Sequence, residues 1–118
     1  MSTSKRNTEI KSIDSQLDEE TLKQILPTYF EEIKNDANQL NLCCKAKQYE
    51  MGQELTHKMK GASKCFGFTQ ISRLLAKLQQ ACGNEEGNKV KRQLNQLSVE
   101  INKAAQLVEQ QLGIKITI

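Results

Sequence analysis

The chain has 118 residues, with 17 Lys plus Arg against 14 Asp plus Glu and a formal charge of +3, which suits one folded domain rather than two. With 37% hydrophobic and only 4% aromatic residues, no Trp and one Pro, it can fill a modest aliphatic core, whereas an all-β sandwich would want more aromatic and β-branched side chains. No apolar stretch approaches the ~20 residues needed to span a bilayer, and the opening MSTSKRNTEIKS lacks the apolar run of a secretory signal. The expected compartment is therefore the cytoplasm, with no membrane partner.

Residues 1–17 are polar and read as a flexible N-terminal segment. From Leu22 the apolar positions Leu22, Ile25, Leu26, Tyr29, Phe30, Ile33, Ala37 and Leu40 follow one helix face. Pro27 interrupts the run. Since proline suits a first turn but removes an interior hydrogen bond, the reading is a short additional helix near 18–26 followed by a longer one near 27–41, with one kinked helix as the alternative. Tyr29 and Phe30 are neighbours and are not expected to face inward together, which leaves one of them for an apolar patch.

The next helix spans about Lys45 to Lys64. At about 100° per residue, Leu55, Met59, Ala62 and Phe66 fall opposite His57, with Met51 nearby, and form the expected core stripe. Glu50, Gln53, Glu54, Lys60, Gly61 and Lys64 share the side of His57. The one histidine of the chain is thus expected to face solvent, against the usual assignment of a lone helical histidine to the core. Gly67 punctuates the chain, and Ile71, Leu74, Leu75, Leu78 and Cys82 define a helix over about 69–82. After the loop Gly83 to Asn88, a last helix carries Val90, Leu94, Leu97, Ile101, Ala104, Ala105, Val108 and Leu112 and stops at Gly113. The expected fold is all-α: an antiparallel four-helix bundle over 18–113 with the short additional N-terminal helix, and 114–118 as a C-terminal tail.

Four cysteines, Cys43, Cys44, Cys65 and Cys82, contain no C-x-x-C pair. Adjacent Cys43 and Cys44 diverge on a helix, so the cysteines read as buried or half-buried thiols and no metal site is expected.

In His57-Lys58-Met59-Lys60-Gly61 a cation at i+3 and a missing side chain at i+4 flank the imidazole on one helix face. Glycine in mid-helix costs about 1 kcal/mol relative to alanine. Access explains it: without a side chain at Gly61, a reactive group on another protein can approach His57, and Lys60 can meet its negative charge. An imidazole in water is largely neutral near pH ~7 and offers a nucleophilic ring nitrogen. The arrangement suits accepting a phosphoryl group.

His57, Lys60, Gly61 and Gly67 match the pattern H-x-x-K-G with a second glycine ten residues after the histidine, and Ser63 stands at a small or hydroxyl position. On these residues the chain resembles the histidine-containing phosphotransfer (HPt) domain, over roughly 20–112. Thr56 stands where Ala is common in that family and Ala62 where Ser is frequent. The resemblance implies a four-helix bundle whose exposed histidine relays phosphate between aspartates of receiver domains, on a response regulator or a hybrid sensor histidine kinase. It implies a phosphocarrier without an ATP site of its own and without a cofactor, any Mg²⁺ belonging to the receiver's acidic site. By the same resemblance His57 is the phosphoacceptor and Gln79 falls where a polar residue orients the imidazole. Lys60 is the candidate for charge support and Gly61 for access. Lys60 and Gln79 are also readable as ordinary surface residues. Partner docking is expected around Gln53, Glu54, Lys58, Lys64 and Phe68, with Phe68 equally readable as core.

Other classes fit less well. Thr69 to Ala76 could open a helix-turn-helix, but Gly83 leads into Asn84-Glu85-Glu86, which would repel phosphates, and the charge of +3 is spread evenly, so no nucleic acid is expected. Ser63 and Cys65 lie six and eight positions beyond His57, not at the spacing of a nucleophile and its base on one helix. A helical adaptor that binds a receiver without accepting phosphate is the runner-up. The polar exterior predicts a monomer.

Overall fold

The computed structural model describes residues 18–116; the segment 1–17 and the last two residues of the expected tail lie outside the described residues. Four helices follow in order: α1 Glu19–Lys45, α2 Tyr49–Cys65, α3 Thr69–Gly83 and α4 Gly87–Leu112. Each of α1 and α3 packs against both α2 and α4. Connections of three residues leave no room for a crossover, so successive helices run antiparallel and close a four-helix bundle.

Helix α1 begins where Asp18 accepts a hydrogen bond from the Thr21 backbone N–H at 2.8 Å, with Glu19 and Glu20 placed to favour the positive end of the helix. Hydrogen bonding from the Thr21 side chain, and then from its backbone N–H, holds the Asp18 carboxyl below its ordinary value. The helix runs unbroken through Pro27. That corrects the short additional N-terminal helix expected over 18–26, whose residues are the first turns of α1. The reason is tertiary. Leu22 and Leu26 before the proline and Tyr29, Phe30 and Ile33 after it are all buried, and at about 1.5–3 kcal/mol for each such side chain their burial on one axis outweighs an interior proline's cost of about 3 kcal/mol. Tyr29 and Phe30 both face inward, contrary to expectation, because α1 packs against two helices and its buried face is wide.

The three connections repeat one device. In each, the N–H of the second residue past the helix reaches the carbonyl three positions back, and that of the next reaches five back: Lys47 to Cys44 and Gln48 to Cys43, Gly67 to Lys64 and Phe68 to Ser63, Glu85 to Cys82 and Glu86 to Ala81. The residue turning the chain is left-handed each time: Lys47 at φ 58°, Gly67 at 75°, Glu85 at 55°. Only Gly67 does this without a Cβ penalty, which is the local reason for the glycine ten residues after His57. The loop expected at Gly83–Asn88 shrinks to 84–86. The last helix ends as expected at left-handed Gly113, and Ile116 then folds back onto the core, its N–H bonded to the Glu109 carboxylate at 2.6 Å.

Phe68 follows the Gly67 turn and is wholly buried. Its ring stacks on Tyr29 at 5.2 Å and lies 5.5 Å from Phe30 and 6.3 Å from Phe66. The docking role expected for Phe68 is thereby corrected: the turn that ends α2 directs this side chain into the bundle. Phe68→Ala is expected to cost about 3–5 kcal/mol in urea denaturation; an unchanged midpoint would contradict its place in the core.

Candidate functional site

The buried positions of α2 are Gly52, Thr56, Met59 and Ser63, rotated by less than one residue step from the expected stripe. Of that stripe only Met59 is fully buried. Leu55 and Phe66 are half-buried, and Ala62 and Met51 are exposed. Hydropathy misjudged the phase because small residues let helices approach and hide their hydroxyls in backbone bonds. A Cβ on Gly52 would meet Cys82 Sγ at 3.1 Å. Thr56 Oγ1 donates to the carbonyls of Gly52 and Gln53, at 3.0 and 2.9 Å. Ser63 Oγ donates to the Met59 carbonyl at 2.9 Å, so the Tyr29 hydroxyl, 2.7 Å away, is the donor to Ser63.

With that stripe inward, His57 is exposed, as are Glu54, Lys58, Gly61 and Lys64, while Gln53 and Lys60 are half-buried. Two contacts hold this face from either side. Lys58 Nζ meets Asp36 Oδ2 of α1 at 3.2 Å, and Lys60 Nζ donates to Gln79 Oε1 of α3 at 3.2 Å. The bond found for Gln79 thus runs to Lys60 rather than to the imidazole. Gln53 lies against Gly83, where an added Cβ would come 2.5 Å from its amide nitrogen.

Gly61 is the informative position. A Cβ there would meet nothing within 4 Å, so the fold itself makes no demand for glycine at this site. Its bare surface lies one helical turn from His57, on the same face.

The cysteines are all free thiols, Cys43 and Cys82 buried, Cys44 half-buried and Cys65 exposed. Burial, and then Cys44 and Cys43 nearby, push the Cys82 thiol up to about 11, which leaves it a poor nucleophile. Among the described residues no group of three or more His, Cys, Asp or Glu could hold a metal ion, and no helix is long and apolar enough to cross a membrane.

The profile of the Hpt domain matches residues 24–112, a span that covers most of the chain and contains the whole face just described. The chain belongs to the Hpt domain family. Membership gives this Hpt domain a phosphotransfer role in two-component signalling, the phosphorelay task of a helical-bundle phosphocarrier that interacts with receiver domains. Comparison with curated proteins and with solved structures gives no match.

Sequence reasoning did not find the Tyr29–Ser63 hydroxyl pair or Arg73, which lines a cleft beside Lys60 and Lys64. The small residues Gly52, Thr56 and Ser63, recurring at helical spacing with Met59, were the available signal for the true buried face.

If Gly61 serves access and not folding, Gly61→Ala stabilises the bundle by about 0.5–1 kcal/mol, read as a raised urea midpoint. A lowered midpoint would show that the fold needs the glycine.

Proposed function

We propose that His57 is the phosphoacceptor through which this Hpt domain relays a phosphoryl group between receiver-domain aspartates. The observation that supports this reading most is the pairing of an exposed histidine with bare, uncrowded helix surface at Gly61. A docked receiver brings its aspartyl phosphate over this surface. The imidazole nitrogen that lacks a hydrogen forms the P–N bond as the P–O bond to the aspartate breaks, and the carboxylate leaves with the electron pair. The reverse sequence delivers the phosphoryl group to a second receiver.

Lys60 offsets charge on the phosphoryl oxygens, and Gln79 supports it by holding the ammonium at 3.2 Å. Gln53, Glu54, Lys58 and Lys64 form the rim on which the receiver docks. The chain supplies no cofactor, any Mg²⁺ belongs to the receiver, and one copy of the chain in the cytoplasm suffices.

The test is incubation of wild type and His57→Gln with a panel of phosphorylated receiver domains, from a response regulator and from a hybrid kinase. Acid-labile, base-stable label is expected on wild type and none on the variant. Receiver binding without label would make the chain a docking adaptor. In the same assay Lys60→Ala is expected to slow transfer roughly tenfold or more, since a hydrogen bond to a charged group contributes about 1.5–3 kcal/mol; equal transfer rates and phosphohistidine lifetimes would remove its role.

A further inference from the structure

A cleft of about 460 Å³ runs between α2 and α3, lined by Lys60, Lys64, Thr69, Ser72 and Arg73 among others, with no acidic residue in its wall. It adjoins the face of His57, since Lys60 and Lys64 follow the histidine by three and seven positions on one side of α2. Its cations differ from the other lysine near the site. Lys58 is paired with Asp36, whereas among the described residues neither Lys64 nor Arg73 carries an ion pair. Both are exposed.

We infer that this cleft is the docking site for an acidic segment of the receiver, a loop bearing Asp or Glu side chains outside the acidic site that holds its metal. The inference rests on the proposed relay reading and adds the chemistry by which a partner is chosen. Three cations facing an open cleft fit an extended acidic chain better than one small anion, which would fill little of such a volume. The charge around His57 is lopsided. Lys60, Lys64 and Arg73 stand toward α3, while toward α1 Asp36 is paired with Lys58 and Glu54 is exposed. A receiver with acidic groups on one side of its phosphoryl group is therefore attracted more strongly in one orientation than in the opposite one. Arg73 gains a charged partner only in the attracted orientation.

The experiment is calorimetric titration with each unphosphorylated receiver of the panel at low and high salt. Wild type, Lys64→Ala/Arg73→Ala and the charge-keeping Lys64→Arg/Arg73→Lys are compared, with label on wild type and His57→Gln read in parallel. The alanine pair is expected to weaken Kd about tenfold and to flatten its salt dependence, while the charge-keeping pair retains both. An alanine pair that binds with wild-type Kd and salt dependence would overturn the inference, and label on wild type alone would then leave the relay standing. Salt-dependent binding lost in the alanine pair, without label on wild type, would uphold the cleft and overturn the relay. Binding by no receiver would overturn both.

Discussion

The rotation of α2 about its own axis decides whether the imidazole of His57 meets solvent or core, and the contacts that set this rotation are short and polar. Thr56, one residue before the histidine, is wholly buried, so a turn of α2 by one residue step of about 100° would exchange the two. Two features oppose that turn: Gly52 lets α2 approach Cys82 of α3, and the Tyr29 hydroxyl reaches across from α1 to Ser63. Bonds from the Thr56 hydroxyl to carbonyls of its own helix let that residue be buried without a partner on another helix. A buried hydroxyl pair left unmade costs about 1–3 kcal/mol, so the wrong rotation is penalised by polar groups as well as by exposed Met59.

The ends of α2 are constrained as firmly as its face. Left-handed Lys47 precedes it and left-handed Gly67 follows it, each returning the chain within three residues to an antiparallel neighbour. Phe68 then enters the aromatic cluster with Tyr29, Phe30 and Phe66 and stacks on the Tyr29 ring. Tyr29 therefore serves both the core, through its ring, and the polar bond that orients the site, through its hydroxyl. Such a scaffold holds the histidine on a rigid helix and leaves the variable part of recognition to the charges around it.

The four bundle helices and their order, and the solvent-facing side of His57, were legible because a period of 3.6 residues and turn residues at the ends are local signals. Three features were not. Pro27 read as a boundary since its cost is local, while the burial that carries α1 through it comes from two other helices. The core stripe of α2 was misplaced because Thr56 and Ser63 count as polar by residue type, although their hydroxyls bond within or between helices and are buried. Phe68 read as a docking residue when α2 was extrapolated past Gly67, where the chain in fact turns inward. At the site, the H-x-x-K-G spacing marked His57, Lys60 and Gly61, but the pairing of Lys60 with Gln79 and the company of Arg73 depend on how α3 packs. No periodicity within α2 carries that information.

The central claim is that the exposed imidazole takes the phosphoryl group, and it can be tested without knowing the partner. The chain, labelled with ¹⁵N, is treated with a small phosphoryl donor such as phosphoramidate and followed by ³¹P and ¹⁵N nuclear magnetic resonance. Because the chain has one histidine, a single phosphorus coupled to an imidazole nitrogen, with amide shifts confined to α2 and the facing part of α3, is the predicted result. Absence of a P–N coupling under conditions that phosphorylate free imidazole, or phosphorus bound to any other residue, would contradict it.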